Sequence, residues 1–118
     1  MIPARIDLAN AGEAVTMLEG LVRLNQQQLR AKPLPALYGS GIRYKREAGT
    51  GERWQTIRQL YASRRGDCED LAAALCALKR EAGQACRVDL VRTGPRLLHA
   101  IVRFPDGTIE DPSKALGM

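Results

Sequence analysis

Apolar positions along the first third of the chain recur at helical spacing. Ala14, Val15, Leu18, Leu21, Val22 and Leu24 predict a helix over Ala11 to Ala31. Asn10 can serve as its N-cap, with Glu13 three residues on as in a capping box, and Pro33 and Pro35 end the segment. Leu37 to Gly51 carries four glycines and reads as loop, with Ile42-Arg43-Tyr44 as a short extended stretch. From Glu52 to Ser63 the helical period returns through Trp54, Ile57, Leu60 and Tyr61, and Arg64-Arg65 followed by Gly66 closes it. Asp67 to Glu81 is the best-punctuated helix. Asp67 caps it, Glu69 and Asp70 sit in its first turn, Lys79 and Arg80 in its last, and Gly83 lies just past its end. Cys68, Leu71, Ala72, Leu75 and Leu78 share one of its faces.

After that helix the period changes to two. Ala85 to Val91, Arg96 to Phe104 and Thr108 to Glu110 predict three strands, the last two joined by a tight turn at Pro105-Asp106-Gly107. Helices first and an antiparallel meander afterwards predict an α+β fold. With 118 residues, residues 1–118 form a single expected domain, with 1–35 as an N-terminal helical segment.

Composition narrows the classes. Hydrophobic residues make up 45% and charged residues 26%, the mix of a globular protein that builds its own core. The longest apolar run, Leu71 to Leu78, is too short to span a bilayer, and the N-terminus has no apolar signal region. A cytosolic chain with no membrane association is expected. Three cysteines in that setting argue against a disulfide scaffold. The net charge of +5 admits nucleic acid as a partner, yet the cations are dispersed and aromatics are only 4%, so a base-stacking platform has little material.

Candidate chemistry gathers at three residues. Cys68 opens a helix, where the dipole and unpaired N–H groups favour a thiolate and its own N–H can serve an oxyanion. Glu69 and Asp70 oppose the thiolate, but successive helical residues point about 100° apart, which turns them elsewhere. His99 is the single histidine and falls on a predicted strand, where a catalytic imidazole is expected partly exposed in a cleft. Asp111 ends the next strand, beside His99 across the hairpin, in position to orient its ring. Each has a structural reading as well: Cys68 as core, His99 as a strand residue, Asp111 as a strand-ending turn. Cys68, Cys76, Cys86 and His99 lack the paired spacing of a zinc site, and no phosphate-binding loop occurs, so neither metal nor cofactor is expected. Cys76 and Cys86 read as core residues.

The motifs together resemble the transglutaminase-like superfamily of papain-like cysteine enzymes. Gly66-Asp67-Cys68-Glu69-Asp70-Leu71-Ala72 resembles its nucleophile motif, Leu78 to Gly83 the end of the helix, and Ala85-Cys86-Arg87-Val88 the strand that follows. His99-Ala100-Ile101-Val102 resembles the histidine strand, and Ile109-Glu110-Asp111-Pro112-Ser113 the aspartate strand. The likeness covers Gly41 to Ser113. It implies a papain-like core and thiol chemistry on an amide or ester, as a peptidase, deamidase or acyl transferase (a hydrolase in the first two cases) acting on a peptide or protein. Cys68, His99 and Asp111 would form the catalytic triad. Tyr44, Trp54 and Gln55 are the upstream candidates for an oxyanion donor. The whole chain also resembles small stand-alone proteins encoded among phage and prophage structural genes, which implies virion association and phage structural proteins as partners. Three functions therefore compete: an active cysteine enzyme, a catalytically silent virion or binding module, and a basic nucleic-acid binder.

Overall fold

The computed structural model describes residues 11–46, 54–94 and 98–118. The order of elements is α1 (Ala11–Ala31), β1 (Arg43–Tyr44), α2 (Ile57–Ser63), β2 (Arg65–Gly66), α3 (Cys68–Glu81), β3 (Arg87–Arg92), β4 (Leu98–Arg103), β5 (Ile109–Glu110) and α4 (Pro112–Ala115). This is a mixed α+β arrangement. The proposed cap Asn10, the predicted helix start Glu52 and the predicted strand start Arg96 lie outside the described residues.

Helix α3 sits between α1 and strand β4, with Ala72, Ala73, Ala74, Cys76 and Ala77 fully buried. Those small side chains let elements approach from more than one side, and Leu71 and Leu75 fill the space between. On α1 the apolar stripe is buried at Ala14, Leu18, Leu21 and Val22, but Leu24 is 41% exposed and Asn25 takes the inward place. The reason is local: Asn25 Oδ1 accepts a hydrogen bond from the Ile57 N–H at 2.8 Å, satisfying a first-turn donor of α2 that burial would otherwise orphan.

Helix α2 begins later than its apolar period implies. Trp54 and Gln55 are not helical, and Thr56 is the N-cap. Its hydroxyl accepts from the Gln59 N–H at 3.3 Å while Gln59 Oε1 accepts from the Thr56 N–H at 2.9 Å, so the capping box fixes the start. The helix stops at Arg64, which takes the left-handed conformation with φ 62°. Residues 65–66 do not simply close the helix. They form β2, which pairs parallel to β1 through Arg43 opposite Arg65 and Tyr44 opposite Gly66. This parallel pair is absent from the sequence expectation of a wholly antiparallel strand set.

The main sheet has the order β3-β4-β5 and is antiparallel throughout. Its turn at Pro105-Asp106-Gly107 is held by the Phe104 N–H donating to the Thr108 carbonyl at 2.9 Å, with Gly107 at φ +88°. Strand β5 opposes β4 only at Val102 and Arg103. The chain then enters α4, a short helix that the sequence reading takes as a turn.

Candidate active site at the start of α3

Gly66 and Asp67 deliver Cys68 to the head of α3. A methyl group on Gly66 would lie 2.6 Å from Leu60 Cδ1 and 3.0 Å from Asp70 Cβ, so close approach of backbone to α2 and α3 requires glycine here. Asp67 then caps α3 reciprocally: it accepts from the Asp70 N–H at 3.2 Å, and Asp70 Oδ2 accepts from the Asp67 N–H at 3.3 Å. Asp70 also receives the Gln55 N–H at 2.6 Å and the Gln55 side-chain amide at 3.2 Å.

Cys68 is half-buried, and its sulfur accepts from the backbone N–H of Ala100, the residue after His99. Burial pushes its thiol well above the usual range, and the neighbouring Glu69 carboxylate pushes it further; the Ala100 N–H works the other way. Glu69 does not turn away from the sulfur, contrary to the expectation from helical spacing. Its carboxylate accepts a hydrogen bond from the thiol, because the core leaves this buried side chain no route to water. Asp67, Glu69 and Asp70 are all raised, each mainly by burial, with Asp70 pushed up to about 8. Asp67 is held up further by the charge of Glu69, and Asp70 by that of Asp67.

His99 is 7% exposed, so the expectation of a partly exposed imidazole does not hold. Its Nε2 lies 3.0 Å and 2.9 Å from the two carboxylate oxygens of Asp111. Asp111 reaches it as a diagonal neighbour across the end of the β4–β5 ladder. The same carboxylate caps α4 by accepting the Lys114 N–H at 3.3 Å. With Nε2 given to Asp111, Nδ1 is the ring position left to exchange a proton. Among the described residues no hydrogen bond joins His99 to the Cys68 sulfur.

The upstream candidates separate. Tyr44 lies near Cys68, whose charge, after burial, helps to raise the Tyr44 hydroxyl above its usual range. Tyr44 is fixed by its place in β1 and by its N–H donating to the Leu116 carbonyl at 2.9 Å. Trp54 is buried, and its indole N–H has no partner among the described residues. Gln55 donates its amide to the Arg65 carbonyl at 2.7 Å as well as to Asp70, so its side chain holds the local fold. Glu69, which helical spacing is expected to turn elsewhere, is the carboxylate beside the sulfur.

A sequence profile of the transglutaminase-like superfamily matches residues 20–104. That span includes Tyr44, Trp54, Gln55, Cys68 and His99 and ends before Asp111. Neither a curated protein nor a solved structure matches the chain.

Proposed function

Because the chain belongs to the transglutaminase-like superfamily, we propose that it performs cysteine-dependent acyl chemistry on an amide or ester on a papain-like core. Cys68 is the nucleophile, His99 the general base and acid, and Asp111 the group that orients His99. The observation that supports this best is the Asp111 carboxylate bound through both oxygens to His99 Nε2, on the strand whose next N–H meets the Cys68 sulfur. Nδ1 of His99 takes the thiol proton as the sulfur attacks the carbonyl carbon, then returns it to the leaving amine or alcohol. The resulting thioester passes its acyl group to water in hydrolysis or to an amine in transfer. The Cys68 N–H, which has no intrahelical acceptor, and the Tyr44 hydroxyl are the donors for the oxyanion. A peptide or protein is the substrate class.

A second reading draws on the sulfur itself. The thiol is half-buried and donates its proton in a hydrogen bond to the Glu69 carboxylate, which suits a silent member of the family that serves as a binding or virion structural module.

Time-resolved iodoacetamide labelling with mass-spectrometric assignment separates the two. The enzyme reading expects Cys68 to react faster than Cys76 and Cys86 near neutral pH, and His99→Gln to slow Cys68 by about tenfold or more. Glutamine is chosen over alanine because His99 is buried and alanine would leave Asp111 facing a cavity. A Cys68 rate that ignores His99 in a folded variant supports the silent module.

A further inference from the structure

We propose that Cys76 and Cys86 are a redox pair: a dithiol that closes to an intramolecular disulfide on exposure to hydrogen peroxide, with Cys68 left outside it. The two sulfurs lie 3.4 Å apart, and the Cys86 thiol also points to the Cys76 carbonyl at 3.5 Å. An S–S bond is roughly 2 Å long, so closure asks for side-chain rotation and small shifts. Cys76 is fully buried on α3, while Cys86, just before β3, is half-buried and reachable.

The intervening turn holds the sulfurs together. Gly83, at φ +89°, reverses the chain, and the Gly83 and Gln84 N–H groups donate to the Arg80 and Lys79 carbonyls, both at 2.9 Å. Arg80 adds a third tie, donating Nε to the Cys86 carbonyl at 2.9 Å. Its two terminal nitrogens are anchored on Glu19, both at 2.7 Å, which fixes the guanidinium charge beside both sulfurs.

The step balances with hydrogen peroxide as the oxidant. The Cys86 thiolate attacks one peroxide oxygen, the O–O bond breaks, and the departing hydroxide takes a proton to become water. Cys86 is then a sulfenic acid. The Cys76 sulfur attacks it, the S–O bond breaks, and the leaving hydroxide removes the Cys76 proton as a second water. Two electrons pass from the sulfurs to the peroxide. The bond ties the later part of α3, whose first residue is Cys68, to the approach to β3.

The test uses the full chain treated with a tenfold excess of hydrogen peroxide and then analysed without reductant. In Cys68→Ser, which lacks the thiol that the proposed function makes reactive, free thiols should fall from two to none per chain. Intact mass should drop by about two units for the lost hydrogens. Peptide mapping should join Cys76 to Cys86, and dithiothreitol should reverse the change. The melting temperature should rise on the order of 5 °C. Cys68→Ser should form the same bond, and if that variant fails to fold, mapping of the unmodified chain decides alone. A bond to Cys68, a disulfide between two chains, Cys86 driven to sulfinic acid with Cys76 still reduced, or three surviving thiols would each overturn the proposal.

Discussion

After burial, Glu69 weighs most on the Cys68 thiol. Its carboxylate accepts a hydrogen bond from the thiol, and its charge opposes the thiolate. Glu69→Gln removes the charge and is expected to speed iodoacetamide labelling of Cys68 near neutral pH by about three- to tenfold. An unchanged rate would mean that burial alone sets the thiol. The sequence draws attention to Cys68, His99 and Asp111 because reactive residue types stand out at a helix start and on adjacent strands. It does not show Glu69 facing the sulfur. Average helical geometry turns neighbouring side chains apart, and only the packing around α3 directs this long, buried carboxylate back. The burial of His99 is hidden as well, since the period of a strand does not say how deeply one of its residues is covered.

At the scale of elements, legibility follows length and punctuation. α3 and α1 are clear because their apolar periods run over several turns and α3 carries its own caps. β1, β2 and β5 have two residues each and α4 has four, too few to express a period, and the β1–β2 pairing joins residues far apart in sequence. The start of α2 was hidden by Trp54, which continues the apolar spacing but lies before the Thr56 cap. Asn25 binds α2 to α1 through the Ile57 N–H. Asn25→Ala is expected to lower unfolding free energy by about 1–3 kcal/mol, because a buried donor loses its acceptor. Urea unfolding followed by circular dichroism measures it, and a loss below about 0.5 kcal/mol would show that another acceptor replaces Asn25.

For the molecule as a whole, the notable imbalance is internal. The chain carries a net charge of +5, yet Asp67, Glu69 and Asp70 are buried together, and among the described residues none of them has an ion-pair partner. Asp70 is pushed up to about 8 by burial first and by Asp67 second, and Asp67 shifts the same way. Between the ordinary aspartate range near pH 4 and pH 8, the folded chain therefore holds protons that the unfolded chain has released. Stability contributed by these groups is complete below about pH 4 and is lost as pH rises through 8. Urea midpoints should fall from pH 5 to pH 8, and Asp70→Asn should flatten that slope by about 1 kcal/mol or more. A midpoint that climbs over the same interval in the unmodified chain would contradict this burial account. No described helix is long and apolar enough to cross a membrane.

Asp111 serves two masters, His99 on one side and the first turn of α4 on the other, while Leu116 reaches past it to the Tyr44 N–H. The segment behind Asp111 is thus a latch. A chain trimmed by design to end at Asp111 would lack the Lys114 N–H and the Leu116 carbonyl together, freeing the carboxylate to swing and β1 to drift. Cys68 labelling in the trimmed protein is expected to fall on the order of tenfold, with the circular dichroism of the long helices retained. Labelling at the full rate after trimming would mean that strand β4 holds the imidazole unaided. One short helix thus ties together the partner of the imidazole and the strand that carries Tyr44.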